Sequence, residues 1–118
     1  MARTDDVVWF EFVEPKVFSK QVGELSAEVL TNIQSDVVQN PRGDIAKGTH
    51  GVRKARVADP GSSRGKSGSY RYLYLYLEHV GRIHLLYLFS KGEQADLSPD
   101  QTRIIGALSQ QIRREHES

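Results

Sequence analysis

The 118-residue chain contains no cysteine. That absence removes disulfides, zinc–thiolate centres and thiol nucleophiles together, and it suits a reducing cytosol. Long apolar runs are scarce as well. The first, Val7-Val8-Trp9-Phe10, is interrupted at Glu11 and Glu14. The N-terminus therefore reads as neither signal peptide nor membrane anchor, and a cytoplasmic location is expected. No Gly-x-Gly-x-x-Gly or Walker-type phosphate loop is present, because Gly61, Gly65 and Gly68 lead from one strand into another rather than into a helix. His50, His79, His84 and His116 are scattered without ligand spacing, so neither a metal nor a cofactor is expected. No internal repeat is visible, and the length accommodates one domain, residues 1–118, with one core.

Charge is unevenly distributed. The net charge of +1 conceals three Lys/Arg against seven Asp/Glu in residues 1–40, eight against two in 41–71, and five against six in 72–118. Positive charge is thus concentrated in the middle third, where it falls on expected strands and on the Gly/Ser-rich turn between them. Strand positions are normally spent on packing. Repeated Arg and Lys there suggest a sheet face organised for an anion, with a phosphate backbone the leading candidate.

Val7–Val13 is rich in β-branched and aromatic residues and reads as a first strand. Pro15 is placed to begin a short helix ending near Gly23. A second helix should follow Ser26 as N-cap, with Val29, Ile33 and Val37 as a buried stripe beside Leu30, and should stop at Asn40-Pro41-Arg42-Gly43. Residues 45–51 are expected to be a short extended segment with Gly48 and Gly51 at turns. Strands follow over Val52–Ala58, Tyr70–Leu77 and Arg82–Ser90, with Gly81 marking a hairpin. Ser98, Pro99, Asp100 and Gln101 form the start signal of a last helix, with Ile104, Leu108, Ile112 and Ile105 as its buried stripe. The expected class is α+β: a small antiparallel-rich sheet with N-terminal helices and a C-terminal helix, the helices covering one face.

Side chains alternate along a strand. With Ala55 and Val57 facing the helices, Lys54 and Arg56 project from the opposite face. Arg71 heads the neighbouring strand, Arg64 and Lys66 lie on the joining loop, and Lys91 ends the strand after that. Adjacent strands can gather these groups at one end of the sheet. Tyr70, Tyr72, Tyr74 and Tyr76 share one face at period two, which favours core packing, with Tyr70 and Tyr72 the more accessible members.

Three segments together resemble the RelE superfamily of toxins, nearest to the HigB-like branch of bacterial type II toxin–antitoxin systems. They are Gly51-Val52-Arg53-Lys54-Ala55-Arg56, then Arg64-Gly65-Lys66-x-Gly68-x-x-Arg71, then Leu85-Leu86-Tyr87-Leu88-Phe89-Ser90-Lys91-x-Glu93-x-x-Asp96-Leu97-x-x-x-Gln101. The resemblance covers roughly residues 7–115. It implies a toxin that enters the ribosomal A site and cleaves mRNA there, held in check by a cognate antitoxin, here expected to be a helix-turn-helix protein. It also implies metal-free chemistry in which the ribose 2′-hydroxyl attacks the adjacent phosphate. By position, the resemblance gives Arg64, Lys66, Arg71 and Lys91 the role of stabilising charge on phosphorus. It gives Arg53, Lys54 and Arg56 the RNA backbone, and Tyr70, Tyr72 and Phe89 contacts with RNA. Relatives often carry Tyr two residues before the terminal-strand lysine; Phe89 stands there and cannot transfer a proton. That task then falls to Lys91, Lys66, Tyr70, Tyr72 or the ribosome. Two other functions fit the same residues: a ParE-like inhibitor of DNA gyrase, and a non-catalytic RNA- or ribosome-binding module.

Overall fold

A serine that caps a helix needs its hydroxyl free to accept from the backbone two or three residues on, and Ser98 meets that need. In the computed structural model, which describes residues 10–60, 69–90, 92, 94 and 96–116, its side chain accepts from the Gln101 backbone N–H. The Gln101 side chain accepts in return from the Ser98 N–H, and Pro99 opens the helix α3, Pro99–Glu115. Helix α1 spans Lys16–Gly23 after Pro15, and α2 spans Glu28–Gln39. Ser26 is not the cap of α2. Its hydroxyl donates instead to Asp59 (2.5 Å), tying the start of α2 to the end of a strand 33 residues away.

The strands are β1 (Glu11–Val13), β2 (Asp44–Ile45), β3 (Arg53–Ala58), β4 (Ser69–Leu77) and β5 (Arg82–Ser90). They form one sheet in the order β1-β5-β4-β3-β2, with β1 parallel to β5 and every other pair antiparallel. A short 3-10 turn over Glu78–Val80 and a left-handed Gly81 link β4 to β5. The register of β4 against β5 shifts at Leu73/Tyr74, where β5 carries an extra residue, Leu86. Leu86 and Tyr87 consequently join the same side of the core, as a β-bulge requires.

The helices do not share one face. Val29, Ile33 and Val37 of α2 and Phe18 and Val22 of α1 pack with Val57, Tyr72, Tyr74, Ile83, Leu85 and Leu88. On the other side, Ile105 and Ile112 of α3 pack with Val52, Leu73, Leu75, Leu77, Leu86 and Phe89. The reason lies in β4. Tyr72, Leu73, Tyr74 and Leu75 are each at most 1% exposed, so both faces of this central strand need an apolar cover and one helical layer supplies only one. The stripe of α3 is also turned from its expected position: Ile105, Ser109 and Ile112 are buried, Leu108 is half-buried, and Ile104 is 61% exposed.

A loop of small residues fixes α3 against β3. Gly51 takes φ +89°, a left-handed conformation that glycine adopts at little cost. Gly106 of α3 lies so close to the loop that an added Cβ would stand 3.0 Å from His50 Cδ2 and 3.3 Å from the Gly48 carbonyl oxygen. Ser109 donates to the His50 carbonyl (2.9 Å), and buried Thr49 donates to that of Ala46. Helix α3 therefore runs from Tyr87 at its N-terminal turn to Arg82 and His84 at its C-terminal end, antiparallel to β5.

Candidate nucleic-acid interface

Pairing across the sheet decides which cations meet. Arg56 is opposite Arg71, Arg71 is opposite Phe89, and Lys54 is opposite Leu73. Directly paired residues project from the same face, and Leu73 and Phe89 belong to the α3 side, so Lys54, Arg56 and Arg71 do too. The three cations line one cleft of about 360 Å³ with Asn40, Gly43, Asp44 and Ala55. It opens at the edge of β3, where β2 pairs only with Arg53 and Lys54 and leaves the remainder of the strand without a neighbour among the described residues.

Arg71 is half-buried, and its Nε has no hydrogen-bond partner among the described residues. A buried donor left unsatisfied is costly, and an anion seated over the guanidinium would supply the missing acceptor. No described carboxylate forms an ion pair with Lys54, Arg56 or Arg71; the described pairs are Arg42–Glu78, Arg82–Glu11 and Arg103–Asp100. Three like charges repel one another and the single described carboxylate of the cleft, Asp44, offsets them only in part, so this arrangement favours a bound anion of extended, multiply charged form.

The remaining expected site residues divide. Arg64, Lys66 and Lys91 lie outside the described residues. Arg53 is opposite Tyr74 and so faces α1 and α2, away from Lys54 and Arg56. Its guanidinium donates to the carbonyls of Arg42 (2.6 Å) and Gly43 (3.4 Å), which holds the turn after α2 and removes it from the cation row. Tyr72 is not accessible. It is 1% exposed within the α1/α2 core, where Val57, Tyr74 and Leu88 surround the same space. Burial first, then the neighbouring Tyr74 and Asp36, raise its phenol pKa above the usual value, which opposes service as a base. Tyr70 is half-buried on that same side and lines a separate cleft of about 220 Å³ with Gln21, Glu24 and Ser90. Phe89 is on the cation face but only 7% exposed, a wall rather than a free stacking platform. His50 has φ 56° at the opposite end of β3 from Arg56, bonded through its carbonyl to α3.

Tyr87 was not singled out by sequence. It is half-buried beside Phe89, with ring centroids 6.0 Å apart and planes tilted by 31°. Strict alternation along Leu85-Leu86-Tyr87-Leu88-Phe89 hid its orientation, since only the bulge at Leu86 reveals which side it joins. Among the described residues, no group of three or more His, Asp or Glu is placed to hold a metal ion. No described helix is long and apolar enough to cross a membrane.

A five-stranded mixed sheet with two N-terminal helices on one face and a C-terminal helix on the other defines an α+β fold of RelE-like type. Among solved structures it is similar to the Escherichia coli toxin RelE in the free state, determined with two arginines replaced by alanine. The TM-score is 0.54 and the sequence identity 14%, over 73% of this chain and 87% of that one. No protein-family model matches the sequence.

Proposed function

We propose that this chain is the toxin of a type II toxin–antitoxin system, of the HigB-like branch, acting in the cytoplasm as a ribosome-dependent endoribonuclease on mRNA in the A site. The observation that carries the reading is the paired row Arg56–Arg71 with Lys54 in one cleft, none of them ion-paired to a described carboxylate although Asp44 lines the same cleft, on a RelE-like fold. Lys54 and Arg56 hold the RNA backbone. Arg71, joined by Arg64, Lys66 and Lys91 from neighbouring segments, stabilises the charge that develops as the ribose 2′-oxygen bonds to phosphorus and the 5′-oxygen departs. Preformed cations around that centre lower the transition state more than the ground state. The 2′-hydroxyl proton must leave and the 5′-oxygen must gain one. Tyr72, buried on the α1/α2 side, is unsuited to either transfer, and Tyr70 lines a cleft on that same side, away from the cations, which leaves Lys91, Lys66 or the ribosome for them.

Cleavage mapping of a defined message on translating ribosomes tests this reading. Purified protein should cut the message during translation and leave the same RNA nearly intact when naked. Efficient cleavage of free RNA would remove the ribosome from the mechanism. Gyrase–DNA cleavage complexes without mRNA scission would assign the chain to the ParE-like function instead.

A further inference from the structure

Beyond the cation row, the same face carries an apolar notch that core packing does not account for. Tyr87 of β5 and Gln101, Ile104 and Ile105 of α3 enclose about 200 Å³. Ile105 turns into the core, whereas Ile104 is 61% exposed at a position where an amphipathic helix ordinarily presents a polar side chain. Gln101 adds little polarity. Its Oε1 already accepts from the Ser98 N–H (3.0 Å) and from Gln94 Nε2 (2.9 Å). Apart from the Tyr87 hydroxyl, the notch therefore presents carbon. Its volume falls below the ~300 Å³ at which pockets for drug-sized ligands begin, and suits a single planar ring system.

Position supplies the identity of that ring. Tyr87 leans on Phe89, and Phe89 is paired with Arg71. Two residues along a strand span about 7 Å, so the notch lies within one nucleotide's reach of the cations. A phosphate needs the cations and a base needs apolar and aromatic walls, and here the two stand side by side. An apolar protein side chain would have no use for the adjacent charges. We infer that the notch is a nucleobase subsite, in which a base of the RNA whose backbone rests on Arg71 stacks on Tyr87 beneath Ile104. This inference rests on the RNA-cleaving function proposed above. With its one amide already engaged, the subsite selects by stacking area, which favours a purine over a pyrimidine at one fixed position relative to the cut.

The test maps cleavage on translating ribosomes with messages varied one nucleotide at a time, using wild type, Tyr87→Phe, Tyr87→Ala and Ile104→Asp, with folding checked by circular dichroism. Wild type should show a purine preference at one position, and Tyr87→Phe should retain it. Tyr87→Ala should lose it, with cutting at favoured sites reduced about 10- to 100-fold, the range expected for one base–aromatic stack. Ile104→Asp, altered at an exposed position that the core does not need, should do likewise. An unchanged site distribution in Tyr87→Ala and Ile104→Asp, with wild type active, would overturn the subsite alone. Loss of antitoxin binding in Ile104→Asp with the cleavage pattern unchanged would overturn it in favour of a protein partner. A wild type that cuts no RNA would refute the underlying function before any variant is compared.

Discussion

Arg71 and its neighbours separate two uses of positive charge. Lys54 and the exposed Arg56 stand on the outer part of the cleft, where each can neutralise one phosphate. Arg71 sits deeper, with its Nε unsatisfied among the described residues. Replacing Lys54 or Arg56 by Ala should weaken RNA association and reduce the slope of its salt dependence by about one phosphate contact, while leaving the rate at saturation nearly unchanged. Replacing Arg71 by Ala should lower the single-turnover rate on saturated ribosomes by ~10²-fold or more, as expected for loss of direct transition-state stabilisation. Equal losses of affinity across all three, with saturated rates intact, would remove the distinction. The alternation of Lys54 and Arg56 with Ala55 and Val57 made this grouping readable in the sequence. Arg53 falls outside the grouping because adjacency in a strand means opposite faces: its neighbour Lys54 enters the cleft, whereas Arg53 secures the turn after α2.

At the level of elements, the helices and strands were legible because their signals are local. The box Ser98-Pro99-Asp100-Gln101 and the stripe Val29, Ile33, Val37 need no knowledge of the remaining chain. What could not be read depends on long-range packing: the second helical layer, the rotation of α3 that exposes Ile104, and the bulge at Leu86 that redirects Tyr87. The far end of α3 illustrates the same dependence. The His116 ring lies 5.6 Å from that of His84 on β5, and the Arg82 guanidinium lies 3.1 Å from His116 Nδ1. Arg82 Nε also sits 2.6 Å from Glu11 without hydrogen-bond geometry, so that pair is held by charge. Burial first, then His116 and Arg82, lower the His84 pKa from its usual 6.5, while Glu115 and Glu11 act in the opposite direction. The unfolded chain therefore takes up a proton near pH 6.5 that the folded chain resists. This contribution to stability is intact above that pH, declines as pH falls below it, and levels off below the folded-state pKa. Thermal melts should show Tm falling between pH 7 and pH 5 in wild type and falling less in His84→Gln. Identical slopes for the two proteins would show that His84 does not govern the transition.

Across the whole molecule, the two faces of the sheet differ in charge. Lys54, Arg56 and Arg71 lie on the α3 side, whereas α2 on the other side carries exposed Glu28 and Asp36 and no base, beside exposed Lys16 and Lys20 of α1. The proposed toxin must be inactive in its host until released, and this difference offers an inhibitor two places to bind. An acidic segment laid over the cation row would occlude the active face directly. A partner docked on α1 and α2 would instead exclude the toxin from the A site by bulk, leaving the cleft open. Electrostatics distinguishes them, because direct occlusion weakens with added salt and with reversal of a cation at the contact. We expect the second mode. Arg71→Glu should retain antitoxin binding with an affinity nearly independent of salt, while the double substitution Glu28→Lys and Asp36→Lys on α2 should weaken it. Titration calorimetry of the purified pair at two ionic strengths measures both effects. Loss of binding in Arg71→Glu, with the far-ultraviolet spectrum unchanged, would place the inhibitor over the cation row instead.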